Sequence, residues 1–231
     1  MDHPADVRMK ELDPVFAEMS AATYRALWDE LPELTTREKI LLSLVADVCE
    51  QTLGVPFEEH VTAALEHGVP AADLRELLRF IAYDSGYPAA RSALERLAGI
   101  ERARGLDGAG EEGHEVDADG TGSPLPASMV RAVRGLDEPF AAYMALQSRM
   151  RGGMTRIAVR ERAFATMTVD VLYQTLDESF RAHVTRALGA GATPEELRAV
   201  VRFSALFGLT RAWRALRVLD ALLTETGSVY A

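Results

Sequence analysis

One helical segment occurs twice in this chain. His60–Phe80 reads HVTAALEHGVPAADLRELLRF and His183–Phe203 reads HVTRALGAGATPEELRAVVRF, identical at 10 of 21 positions without a gap. The register runs backwards at a constant offset. Gln51-Thr52-Leu53 meets Gln174-Thr175-Leu176, Asp47 meets Asp170, and Arg37-Glu38 meets Arg160-Glu161. Forward, Gly86 meets Gly208 after a deletion of one residue. A duplication on this scale restricts the chain to a pair of like modules. Neither half alone can bury all its apolar helix faces, so the two are expected to pack on each other about a pseudo-two-fold axis.

The repeated unit is helical. Leu74, Leu77, Leu78 and Ile81 share one face of a 3.6-residue period, as do Leu197, Val200 and Val201. Thr35-Thr36-Arg37-Glu38 and Thr193-Pro194-Glu195-Glu196 have the form of capping boxes, the second with proline at the first helical position. No alternating β-rich run competes, so the fold class is all-α: two tandem helical-bundle repeats. Residues 105–123, GLDGAGEEGHEVDADGTGS, carry Gly and acidic side chains without periodicity and read as an acidic flexible linker. The expected division is a first repeat at 11–104 and a second at 124–226. A G-x-G-x-x-G match at Gly108, Gly110 and Gly113 is spurious, because no strand precedes it and Glu111 and Glu112 would repel a pyrophosphate.

Several function classes fall away on composition. The net charge of −10 argues against a nucleic-acid binder, which needs a basic face. That charge is uneven: 1–123 carries 11 basic and 25 acidic side chains (−14), and 124–231 carries 14 and 10 (+4). Such a split suits head-to-tail contact between copies, although a solvated surface with an acidic linker explains it too. The densest apolar stretch, Ile40–Val48, is broken by Ser43 and Asp47, and Met1–Lys10 has no signal-like apolar run. No membrane association is expected, and the expected location is cytoplasmic. Cys49 is the only cysteine, which rules out an intrachain disulfide or a thiolate metal site. With no H-E-x-x-H either, no metal is expected.

The polar residues shared by both copies form a short set. Glu38 and His60 lie 22 residues apart, as do Glu161 and His183. Between them sit Asp47 with Gln51 and Asp170 with Gln174, each pair four apart on one helix face. A carboxylate orienting an imidazole is the usual arrangement for moving a proton near neutral pH. Capping by Thr35 accounts for Glu38, but the matching position in the second copy is Ala158, and Glu161 persists. Each histidine also heads an apolar stripe (Val61, Ala64 and Leu65; Val184, Ala187 and Leu188), so a satisfied core histidine stands as the alternative.

The ordered pattern of Arg-Glu, apolar helix, His-x-x-x-Ala-Leu-x-x-Gly, Leu-Arg and a Gly-anchored last helix resembles the carboxymuconolactone decarboxylase and alkylhydroperoxidase D superfamily. The first copy carries it at Arg37-Glu38, His60, Ala64-Leu65, Gly68, Leu74-Arg75 and Gly86. The second copy carries it at Arg160-Glu161, His183, Ala187-Leu188, Gly191, Leu197-Arg198 and Gly208. The resemblance implies the alkylhydroperoxidase D-like all-helical fold, assembly into rings or trimers, and a small pocket near the Glu and His. Peroxidase members place cysteines seven and four residues before the His, where this chain has Leu53 and Pro56, and Leu176 and Ser179. A dithiol peroxidase is thereby excluded. The decarboxylase branch works on a carboxylated lactone without metal or organic cofactor, and a protein acid–base group protonates the carbon that loses carbon dioxide.

The expected function is a cofactor-free, decarboxylase-like lyase (carbon–carbon) or isomerase acting on a small acidic or enolisable metabolite, with a role in specialised metabolism. His183 and His60 are the expected catalytic groups, with Glu161 and Glu38 orienting them. Gln174 and Gln51 are expected to hold a substrate oxygen, with Asp170, Asp47, Ser179 and Arg181 also at the substrate. The second copy is favoured, because it offers the Ser179 hydroxyl and the nearby Arg181 and Arg186, whereas Glu58 and Glu59 precede His60. The expected partners are a small-molecule substrate and further copies of the chain, in a homotrimer. The other reading is a binding or scaffolding protein that kept the fold and lost the chemistry.

Overall fold

The computed structural model describes residues 9–106 and 127–229, with side chains to residue 225. Among the described residues every regular element is helical. The expected linker lies outside the described residues from 107 onward. The first repeat comprises α1 (Pro14–Tyr24), a π-helical turn (Arg25–Asp29), α2 (Thr36–Glu50), α3 (Val55–Glu66), α4 (Ala71–Ser85) and α5 (Tyr87–Ala103). Then come α6 (Ala127–Leu136), α7 (Glu138–Gly152), α8 (Val159–Tyr173), α9 (Glu178–Gly189), α10 (Pro194–Phe203), a 3-10 turn (Ser204–Phe207) and α11 (Leu209–Val229). The duplication is visible helix by helix, since α2 and α8, and α3 and α9, begin and end 123 residues apart. Even the caps repeat: Asp13 accepts from Phe16 N at the start of α1, and Asp137 from Phe140 N at the start of α7.

The compact units cut across the repeats. One is built from the chain up to Glu50 together with the chain from Val159 onward; the other is Gln51–Ala158. The first unit therefore joins α1 and α2 of one repeat to α8–α11 of the other. Its core is continuous, with Phe164, Phe180 and Phe203 at 0 % exposure and Trp28 stacked at a tilt on Phe203, 5.6 Å between ring centres. In the second unit, helices of both repeats are tied by Arg151 to Asp84 at 3.1 Å and by the Tyr87 hydroxyl, which donates to Gln147 Oε1 at 2.6 Å.

Two helices of the first unit are buried on all sides. Glu38 to Val48 of α2 and Ala163 to Leu172 of α8 are all buried, so their polar residues need partners inside the fold. The pseudo-two-fold relation supplies some of them. Arg37 Nε donates to Glu161 Oε1 at 2.7 Å, and reciprocally Arg160 Nε donates to Glu38 Oε1 at 2.8 Å. The repeated Arg-Glu dipeptide is thus a clasp in which each copy's arginine holds the other copy's glutamate.

Both expected capping boxes form. Glu38 N bonds Thr35 Oγ1 at 3.1 Å while Thr35 N donates to Glu38 Oε2, and Thr193 and Glu196 do the same at the start of α10. Arg160 also reaches Glu196 Oε2 at 2.8 Å. That arginine, with the donors of Thr193, pulls the Glu196 carboxyl down to about 2. A depressed folded-state value means that the stabilisation is complete above the ordinary glutamate range and is lost as pH falls towards about 2. The stability gap between the native chain and Glu196→Gln in urea should therefore be widest near neutral pH and close towards pH about 2. A gap that stayed constant over that range would contradict the Arg160–Glu196 pairing.

Candidate functional site

On α9 the buried stripe is Phe180, His183, Val184 and Ala187, spaced for one helix face, so His183 is the one polar member of an inward-facing row. Phe180, at 0 % exposure, anchors the start of that row in the core. From there the imidazole meets Asp170 of α8, with Nδ1 and Oδ2 2.6 Å apart. Asp170 is 3 % exposed and His183 7 %. The other carboxylate oxygen, Oδ1, accepts from Thr175 Oγ1 at 2.6 Å and from Ser179 Oγ at 2.9 Å.

A local turn explains why Thr175 is there. Gln174 has φ +60, the left-handed conformation that ends a helix, and its counterpart Gln51 has φ +57. Reversal at Gln174 brings Thr175 N back to Asp170 O at 3.0 Å, the long closing bond of a Schellman turn, and this sets the threonine hydroxyl over the Asp170 side chain. Ser179 is the second residue of α9 and reaches the same oxygen; His183 lies one helical turn further on. One turn and one helix start thus converge on a single buried carboxylate. His183 Nε2 has no hydrogen-bond partner among the described residues.

The expected roles are redistributed by this geometry. Glu161 does not hold His183 Nδ1; Asp170 does, and Glu161 is engaged by Arg37. Asp170, expected at the substrate, has its carboxylate taken up by Thr175, Ser179 and His183. Gln174 does not hold its amide N–H groups free for a substrate oxygen, since Nε2 donates to Val171 O at 2.6 Å and to Arg211 O at 3.2 Å. The Ser179 hydroxyl is directed to Asp170, and Arg181 is paired at the surface with Glu225 at 2.8 Å. In the first repeat Asp47 belongs to the first compact unit, and Gln51 and His60 to the second. Glu38 is held by Arg160 and Thr35. Thr175 was missed as a site residue, although its pairing with Thr52 in the repeated Gln-Thr-Leu was a visible signal.

Two segments of the chain, 14–98 and 138–221, match the model of the carboxymuconolactone decarboxylase family. The chain belongs to that family. The two matches span most of both repeats, so the carboxymuconolactone decarboxylase family unit is present twice. A solved structure from Burkholderia xenovorans LB400, described as a gamma-carboxymuconolactone decarboxylase subunit, aligns with 97 % of this chain and 92 % of its own. Its TM-score is 0.56 at 20 % sequence identity, a likeness of fold. No curated protein matches the chain significantly. The fold is accordingly the alkylhydroperoxidase D-like arrangement of the carboxymuconolactone decarboxylase family.

The site holds donors and acceptors suited to proton transfer. Among the described residues no group of three or more His, Cys, Asp or Glu side chains is placed to hold a metal ion. No helix among them is long and apolar enough to cross a membrane. Cys49 lies in the first unit beside Tyr173, whose hydroxyl is pushed up to about 12 by burial and by the neighbouring thiol.

Proposed function

We propose that this chain is a cofactor-free acid–base enzyme, a lyase or isomerase acting on a small acidic or enolisable metabolite, with His183 as the proton-transfer group. The observation that carries the reading is the buried Asp170–His183 pair, whose carboxylate is fully engaged while the imidazole keeps one nitrogen without a partner among the described residues. A carboxylate on Nδ1 orients the ring and stabilises the imidazolium that forms when Nε2 takes up a proton. On an enolisable substrate, Nε2 takes the proton from carbon and the C–H electron pair moves into the adjacent carbonyl. In a decarboxylation, the breaking carbon–carbon pair moves there instead, carbon dioxide leaves, and the carbon takes its proton from His183 after the ring has first been protonated from water. Family membership supports the lyase branch of this reading, and the absence of paired cysteines weighs against a dithiol route. His60 is the matching candidate of the first repeat.

The near-complete burial of His183 favours the other reading, a binding or scaffolding protein. We also propose a cytoplasmic homotrimer, for which the −14/+4 charge split and the subunit description of the structural neighbour give support. Untargeted metabolite comparison between a deletion strain and its parent is the test of function. The enzyme reading expects one small acid to accumulate in the deletion strain and to be consumed by the purified chain without added metal or cofactor. An accumulated metabolite that the purified chain binds but never converts would establish the binding reading instead.

A further inference from the structure

We infer that Thr175 and Ser179 are positioning residues that set the tautomer of His183, and that Ser179 is what distinguishes the second repeat in this respect. Two hydroxyls converge on Asp170 Oδ1, at 2.6 and 2.9 Å, and His183 Nδ1 sits 2.6 Å from Oδ2. Each hydroxyl has one proton to give, and the two bonds to Oδ1 are charge-assisted, and so strongest, when the carboxylate is ionised. An ionised Asp170 accepts at Oδ2 as well, so Nδ1 carries the hydrogen and Nε2 of the neutral ring carries the lone pair. His183 is then poised to accept a proton first. The inference rests on the acid–base reading only for its catalytic consequence; the tautomer itself is a property of the resting chain.

The surroundings leave Asp170 as the group that sets this state. On α9, Arg181 is paired with Glu225, and Glu178 and Arg186 are the remaining charges of that helix. On the helices packed against α9, Arg198 of α10 is paired with Asp220 of α11, and Arg160, Glu161 and Arg162 lie at the far end of α8 from Asp170. The first repeat keeps the threonine, as Thr52, but has Pro56 where the second has Ser179. Proline has no hydroxyl to offer, so the donor that Ser179 supplies is missing at that position of the first repeat. Both Ser179 and Thr175 are exposed residues whose hydroxyls turn inward, so replacing them disturbs little of the core.

Nitrogen-15 NMR of the histidine-labelled full chain, with the His183 signals assigned from His183→Gln, tests this directly. In the native chain Nδ1 should be protonated and Nε2 bare. With one hydroxyl fewer on Oδ1 the anionic state of the pair loses most, so Ser179→Ala should shift the balance of His183 towards the imidazolium at a fixed pH, read from its two nitrogen-15 signals. Ser179→Thr should bring it back, and Thr175→Val should act in the same direction as Ser179→Ala. A native His183 protonated at Nε2, or nitrogen-15 signals unmoved in a folded Ser179→Ala chain, would overturn the inference. Where a substrate is in hand, the acid limb of kcat against pH should move to higher pH in Ser179→Ala. A native chain that shows the bare Nε2 but turns nothing over would count against the acid–base reading and leave the tautomer assignment standing.

Discussion

His183→Gln is expected to lower turnover by roughly 10²–10⁴-fold, the usual contribution of a positioned acid–base group, while the melting temperature moves little. Glutamine can still donate an amide hydrogen towards Asp170 Oδ2, so the buried carboxylate keeps a partner after the exchange. What is lost is the second ring nitrogen and with it the proton carrier. Asp170→Asn should lose turnover as well but for a different reason. Its side-chain oxygen can still accept from Thr175 and Ser179, while its amide nitrogen faces His183 Nδ1 and donates to it, which moves the ring hydrogen to Nε2. That variant should therefore lose turnover through the wrong tautomer, with little loss of stability. Glu161→Gln should separate from both, retaining turnover, because Glu161 is engaged by Arg37. Kinetics and thermal melting of the three purified variants check the set, and a Glu161→Gln chain as inactive as His183→Gln would return the orienting role to the glutamate.

The largest effect on stability should come from Arg160. Its guanidinium holds Glu38, whose side chain is only 6 % exposed, and Glu196 at 23 %. It also lies over the Phe164 ring, 4.7 Å from the centroid. Replacing it with Met leaves a buried carboxylate without its cation, a change that typically costs about 3–5 kcal/mol. The pseudo-symmetric Arg37→Met should cost far less, about 1 kcal/mol, because Arg37 is 32 % exposed and its partner Glu161 13 %, so solvent screens the loss. Adding Glu38→Gln to Arg160→Met should recover part of the loss, since the uncompensated charge goes with it. Urea denaturation of the two single variants and the double variant reports all three, and equal losses for Arg160→Met and Arg37→Met would contradict the asymmetry.

Much of the fold was legible because its signals are local. The matched segments, the two capping boxes and the proline at the head of α10 lie within a few residues of the structure they specify. The purpose of the Arg-Glu dipeptide was not, because Arg37 and Arg160 find their glutamates 124 and 122 residues away, in the other repeat. Glu161 persisting without a capping threonine read as a sign of chemistry at His183, whereas the structure pairs it with Arg37 across the two repeats. His183 was legible as a polar residue heading an apolar stripe. Its partner was harder to find, since nothing in the spacing says that a left-handed residue at Gln174 folds Thr175 back over Asp170. The repeated glutamines read as substrate ligands, whereas at Gln174 the side chain is spent on the carbonyls that the turn and the start of α11 present. Nor does a sequence repeat reveal that the compact units divide the first copy after α2 and the second before α8, because that depends on which apolar faces meet.

Complementation of the deletion strain tests most directly whether His183, held by Asp170, is the working group. Strains carrying the native chain, His60→Gln or His183→Gln, expressed to equal levels, would be compared for the metabolite that accumulates in the deletion. The account expects the native chain and His60→Gln to clear it and His183→Gln to leave it at the deletion level. Clearance by His183→Gln would contradict the account.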